Sequence, residues 1–211
     1  MVNLEPSKNA ADRALAALGR AQFTVAAHAL KQLPPDRGAE VACAGRSNAG
    51  KSSALNALSA RRDLARVSKT PGRTQQLVVF EMDPERRLVD LPGYGYAAVP
   101  IPLREHWGEV LQRYFDERAA LRGLLLAMDV RRGLSEHDRT MLRLVQARGL
   151  PAHILLTKAD KLGRGAAGTA LRKLRAELAQ EFPDASAQLF SVPDRSGLDE
   201  ARTVLAEWLG L

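Results

Sequence analysis

Cysteine is nearly absent: Cys43 is the only one in 211 residues. No intrachain disulfide can form, so the fold must rest on its core, and a reducing compartment suits it. Long hydrophobic runs are missing too. The longest, LRGLLLAMDV at 121–130, is far too short to cross a bilayer as a helix. The first residues hold no apolar stretch ending in a small-residue cleavage site, which argues against a secretory signal and for the cytoplasm. There are only four histidines, none within ligand spacing of another, so no histidine-built metal site is expected. Low-complexity linkers and internal repeats are also lacking, which leaves one compact domain.

What is present is an ordinary globular balance, with 45% hydrophobic and 26% charged residues. The formal net charge is +7, spread along the chain rather than gathered in blocks. A basic protein attracts polyanions such as RNA, although a general habit of arginine use would give the same excess.

The local patterns alternate strand and helix. The alanine-rich stretch to about residue 20 reads as a helix-permissive, fraying N-terminal extension (1–21), and PPDRG at 34–38 as a turn into the main domain of 22–211. VACAG at 41–45 is a short buried strand, and SSALNAL at 52–58 opens a helix. LVVFEMD at 77–83 and RRLVDLP at 86–92 form an antiparallel hairpin about Asp83-Pro84. Helical spacing returns at 103–119, with Leu103, Trp107, Val110, Leu111, Tyr114 and Phe115 in one stripe. The apolar run at 121–130 reads as a strand covered on both faces. A helix capped by Ser135 and closed by Gly149 follows, then a strand in AHILLTKAD, a helix near 167–181, a strand at 187–192 and a helix near 197–209. The expected fold is α/β: a mixed, mostly parallel six-stranded sheet with helices on both faces.

Four loops carry chemistry. GRSNAGKSS (Gly45, Arg46, Ser47, Asn48, Ala49, Gly50, Lys51, Ser52, Ser53) fits G-x-x-x-x-G-K-[ST] between a strand and a helix. Converging backbone N–H groups there cradle phosphates, Lys51 adds a point charge to the β- and γ-phosphates, and the Ser52 hydroxyl can ligate Mg²⁺. DLPG (Asp90, Leu91, Pro92, Gly93) ends a later strand, where an aspartate can hold a Mg²⁺-bound water and the Gly93 amide can reach a γ-phosphate. TKAD (Thr157, Lys158, Ala159, Asp160) ends another; Asp160 suits the paired N1–H and N2 donors of guanine, and the Lys158 stem can lie along the base. That element argues against a phosphate-loop ATPase or small-molecule kinase. The polar loop VSKTPGRTQQ at 67–76 offers Thr70 and Thr74 to complete the Mg²⁺ shell, with Thr74 preferred because it lies nearer the following strand. In SVPD, the amides of Ser191 and Val192 can contact the guanine O6 edge.

Together GRSNAGKSS, KTPGRTQ, DLPGYGYA, MDVRRGLSEHD, TKAD and the terminal strand closely resemble the EngB (YihA/YsxC) family of bacterial GTPases in the TrmE–Era class, from about residue 22 onward. The resemblance implies a Ras-like G domain of the P-loop NTPase fold. It also implies a monomeric GTPase that binds the large (50S) ribosomal subunit during assembly, with a linked requirement in division and septation. Carried over, Gly45 to Ser52 hold the phosphates, Ser52 and Thr74 ligate Mg²⁺, and Asp90 acts through water. Gly72, Arg73, Thr74, Gln75, Gln76 and Leu77 form the first switch, Asp90 to Gly93 open the second, and Thr157 to Asp160 with Ser191 and Val192 read guanine. The sequence departs from the family at Val192-Pro193, where a serine or alanine usually follows the serine, so base-edge contact there falls to the backbone.

Where many GTPases place a glutamine after the D-x-x-G glycine, this chain has Tyr94, so slow hydrolysis is expected, with Lys51, Thr74, Gly93 and Asn48 as the catalytic set. Asn48 resembles the asparagine that coordinates K⁺ in the TrmE class; the plainer alternative is local hydrogen bonding that shapes the loop. Tyr94 and Tyr96 form an aromatic pair suited to stacking on RNA or to packing. Cys43 reads as a small buried hydrophobe. A GTPase acting on another RNA or division partner, or a GTP-binding module with negligible turnover, fits the same motifs.

Overall fold

The computed structural model describes residues 8–65, 76–94 and 101–211. Six helices and seven strands are seen among them, in the order α1 (Lys8–Gly19), β1 (Gln22–Ala27), β2 (Ala39–Gly45), α2 (Lys51–Leu58), β3 (Leu77–Asp83), β4 (Arg86–Asp90), α3 (Ile101–Glu117), β5 (Leu121–Asp129), α4 (Glu136–Ala147), β6 (Ala152–Thr157), α5 (Arg164–Glu181), β7 (Ala185–Leu189) and α6 (Leu198–Leu209). The strands form one sheet in the order β1-β3-β4-β2-β5-β6-β7. β4, β2, β5, β6 and β7 are mutually parallel, and β3 runs against both β4 and β1.

Alternation within the apolar strands decides which helix packs where. Ala42, Ala44, Leu124, Leu126, Ile154 and Leu156 share a core with α3, α4 and α5. Their chain neighbours Val41, Cys43, Leu125 and Leu155 share the opposite one with α1, α2 and α6. A run that is apolar at every position is what a strand buried on both faces requires. Cys43 is buried in the second core, where desolvation raises its thiol pKa, so it is packed as a hydrophobe.

Two expectations need correction. The sheet has seven strands, because QFTVAA pairs antiparallel with β3 and adds an edge strand. Its alternation runs only from Gln22 to Val25 before two alanines, and the register shifts between Phe23 and Val25, so the strand signal is short. The N-terminal stretch does not fray from Lys8 onward: α1 lies against the core shared with α6, with Ala14, Ala17 and Leu18 buried. No described helix is long and apolar enough to cross a membrane.

The chain leaves β2 through α2 to reach β3 and β4 on one side, then returns to β5 on the other. β2 is thus the point where strand order reverses, and the carboxyl ends of β2, β4, β5 and β6 converge there. In open parallel sheets this is where ligands bind.

Candidate nucleotide-binding site

The loop from Gly45 to Gly50 joins β2 to α2 and is shaped by two constraints. Gly45 is pressed on β5, so that a Cβ would lie 2.7 Å from the Ala127 carbonyl oxygen. Gly50 and Asn48 take left-handed backbone, at φ +91° and +64°. The turn is closed by Ala49 N–H donating to the Arg46 carbonyl at 2.9 Å. Neighbouring motifs hold it from outside. Lys158 Nζ donates to the Asn48 carbonyl at 2.7 Å, and the Thr157 hydroxyl sits between the Ala49 and Met128 carbonyls. Ser47 N–H donates to the Tyr94 carbonyl at 3.1 Å. Asn48 thus engages the loop through its main chain, and it is exposed at the surface.

Lys51, the first residue of α2, donates to Asp90 Oδ1 and the Leu91 carbonyl at the end of β4. Burial pushes the Asp90 carboxyl above its ordinary pKa, against the pull of the Lys51 ammonium. Ser52 and Ser53 follow in the first turn of α2, and the DLPG turn packs against the loop, with an imagined Gly93 Cβ 3.7 Å from Ser47 N.

At the end of β6, Lys158 also takes left-handed backbone, at φ +60°. Its ammonium bridges the Asn48 carbonyl and Asp129 Oδ2, the latter at 3.0 Å. Asp129 is clamped by Arg131 through Nε at 2.9 Å and Nη2 at 2.6 Å, and Arg131 above all holds its carboxyl far below the ordinary range. Asp160 accepts from Ser191 Oγ at 2.9 Å and pairs with Lys161 at 2.8 Å; Lys161 chiefly, with Ser191, lowers its pKa. Ala159 N–H reaches the Phe190 carbonyl at 3.2 Å, which ties TKAD to the end of β7. A cleft of about 220 Å³ runs beside the phosphate loop, lined by Arg46, Asn48, Asp129, Arg131 and Lys158 among others.

The arrangement joins an amide-lined loop at a helix start, a lysine and a buried carboxylate beside it, and an anionic acceptor pair farther along the same edge. It can hold a polyphosphate and a base bearing two adjacent donors. Residues 40–158 match the family described as 50S ribosome-binding GTPase. The probable GTP-binding protein EngB of Stenotrophomonas maltophilia (strain K279a) is 59% identical over 193 residues, which cover 91% of this chain and 96% of that relative. The chain belongs to the EngB family of GTP-binding proteins. The Xanthomonas campestris pv. campestris (strain 8004) protein of the same description is 56% identical over 91% of this chain and 93% of its own. A crystal structure of a probable GTP-binding protein EngB superposes with a TM-score of 0.64 at 19% identity, over 82% of this chain and 99% of that one. Era in complex with MgGDPNP and nucleotides 1506–1542 of 16S ribosomal RNA gives a TM-score of 0.61 at 22% identity, over 82% of this chain and 57% of its own. These structural likenesses confirm the P-loop GTPase fold. As a member of the EngB family, the chain is a GTPase.

The phosphate loop, DLPG and TKAD are all brought to one edge. Gly72, Arg73, Thr74 and Gln75, with Thr70 and Tyr96, lie outside the described residues. Gln76 begins the described chain again, with its side-chain amide 2.7 Å from His28 Nε2. Ser191 is fully buried and faces Asp160 through its hydroxyl, while Val192 is exposed. Tyr94 is half-buried rather than displayed: its phenol donates to Asp138 Oδ1 at 2.8 Å. Sequence reasoning gave Asp129, Arg131 and Asp138 no role. They lie in the stretch MDVRRGLSEHD, which carried part of the family resemblance and the Ser135 cap but no site role for these three residues.

Substituting Lys51→Ala leaves the Asp90 carboxylate in a buried site with no cation. Urea unfolding should show a loss of about 3 kcal/mol, most of it recovered in Lys51→Ala/Asp90→Ala. A Lys51→Ala protein as stable as the wild type would refute the pairing.

Proposed function

We propose that this GTPase is a slow, Mg²⁺-dependent nucleotide switch that acts in assembly of the large ribosomal subunit, with the division and septation requirement following from that role. The observation that supports the nucleotide half is Asp160: Ser191 on Oδ1 and Lys161 on Oδ2 keep its carboxyl ionised, and its neighbour Lys158 reaches the phosphate loop. The partner half rests on the family description, 50S ribosome-binding GTPase, and on the net charge of +7, which suits an RNA-rich particle.

The residues present fit a hydrated Mg²⁺. P-loop sites take protein hydroxyls and an outer carboxylate rather than an acidic cluster, and no group of three or more His, Cys, Asp or Glu gathers among the described residues. Ser52 in the first turn of α2 would supply the hydroxyl, Thr74 the second, and the buried Asp90 would accept from a bound water. When bound, the ion supplies charge neutralisation at the β- and γ-phosphates. The loop amides then orient the phosphates, Lys51 moves its donors from Asp90 and Leu91 onto phosphate oxygens, and Gly93 N–H reads the γ-phosphate. Asp160 accepts from the base, the Lys158 stem covers its face, and the backbone of Ser191 and Val192 meets its edge. Slow turnover follows from Tyr94, whose phenol is engaged by Asp138 and orients no water.

Asn48 supplies the finer part of the mechanism. Its exposed place in the loop, with the carbonyl already satisfied by Lys158, leaves the side-chain oxygen for a K⁺ ion beside the phosphates. Turnover at matched ionic strength should be at least several-fold faster in K⁺ than in Na⁺, and equal rates would sink this assignment.

Co-sedimentation with separated ribosomal subunits tests the partner. Binding to the large subunit should require a non-hydrolysable GTP analogue rather than GDP, and should survive a rise in salt that removes non-specific RNA contact. Binding that ignores the nucleotide, or fades with modest salt, would overturn the switch reading.

A further inference from the structure

Tyr94 is held more firmly than a residue leaving a strand end requires. Its main chain forms an isolated parallel bridge with Arg46, and its carbonyl takes the Ser47 N–H of the phosphate loop. Its ring lies nearly parallel to that of His137, with centroids 6.2 Å apart and planes at 14°. Its phenol donates to Asp138, which is 1% exposed. Burial keeps the phenol protonated, its pKa raised well above the ordinary tyrosine value, so it serves as a donor.

Asp138 works in two directions. Its Oδ2 accepts Ser135 N–H at 2.9 Å and Ser135 Oγ at 2.5 Å, and its own N–H returns to Ser135 Oγ at 3.3 Å, closing the capping box of α4. Its Oδ1 holds Tyr94. One buried carboxylate therefore joins the first turn of α4 to the residue that follows Gly93, and Tyr94 is fixed at both its main chain and its phenol.

We propose that Tyr94 and Asp138 are positioning residues for the Gly93 amide, and that through them helix α4 responds to the nucleotide in the phosphate loop. This rests on the reading above, in which Gly93 N–H meets the γ-phosphate. The Gly93 N–H belongs to the Pro92–Gly93 peptide, which lies between the ring-fixed φ of Pro92 and the anchored Tyr94, so its turning is limited from both sides. Fixing that peptide in advance spares the ordering cost of aiming its N–H at a phosphate oxygen. Any displacement that does occur must either part the phenol from Asp138 or shift the capped end of α4, which is the route the coupling takes. The position that elsewhere orients water is here a mechanical link.

The test is binding of GDP and of a non-hydrolysable GTP analogue to the full chain. Tyr94→Phe keeps ring and main chain and removes only the hydroxyl. It should weaken the analogue relative to GDP by about tenfold, the scale of one buried hydrogen bond to a charged partner. Asp138→Asn should do the same, and the double variant should lose no more than either single. Ser135→Ala should lower Tm through the lost cap yet leave the ratio of affinities unchanged. Amide exchange over residues 136–142 should differ between analogue-bound and GDP-bound wild type, and that difference should vanish in Tyr94→Phe. An unaltered ratio in Tyr94→Phe, or equal loss for both nucleotides, overturns the inference. Wild-type protein that binds neither nucleotide would instead bring down the site reading on which it rests.

Discussion

The main chain of the phosphate loop is shared out among its neighbours. Lys158 takes the Asn48 carbonyl, Thr157 the Ala49 carbonyl, and Tyr94 offers its own carbonyl to Ser47 N–H. Two segments, one at the end of β6 and one after β4, thereby hold the shape of a third, with its left-handed turns at Asn48 and Gly50. The remaining amides stay free to converge on an anion, the property on which the rest of the site depends. Gly45 permits this by letting β2 lie close to β5, against the Ala127 carbonyl.

Charge is managed by the same economy. The two lysines beside the loop each have a carboxylate: Lys51 has Asp90, and Lys158 has Asp129. Asp90 is poorly solvated, so its pairing with Lys51 is readily exchanged once a stronger anion and a cation share the site. Asp129 is the opposite case, held ionised by Arg131 and thus a fixed anchor that keeps Lys158 aimed across the loop. Asp160 keeps a low pKa through Lys161 and Ser191, which preserves it as an acceptor. The exchangeable pair lies beside the start of α2, where the proposed site takes phosphates, and the fixed pair at the end of β6, where it takes the base.

Much of this was legible from residue order, for identifiable reasons. The phosphate loop and TKAD each follow a strand whose apolar run marks it as buried on both faces, DLPG ends the second strand of the hairpin, and a mostly parallel sheet sends these strand ends to one edge. Ser135 announced the start of α4 because a capping box is local in sequence. Strand β1 was hidden by the shortness of its alternation and by its register shift, and its pairing with β3 spans too long a separation to read from periodicity. The docking of α1 was hidden because alanines at helical spacing carry little hydrophobic signal, although Ala14 and Ala17 are buried. The Tyr94–Asp138 bond joins residues 44 apart, and Asp129 looked like a strand terminus; in both cases the partner exists only once the sheet is assembled. Residues 66–75, which hold Thr74, lie outside the described chain.

The central claim is that the edge formed by the phosphate loop and TKAD is a guanine-nucleotide site. Calorimetric titration of the purified protein with GDP and with ADP, each with Mg²⁺, tests it most directly. A carboxylate that requires two adjacent donors on the base should reject the adenine compound by about 10³-fold or more. Comparable affinity for ADP would contradict the assignment of Asp160, and with it the account of the site.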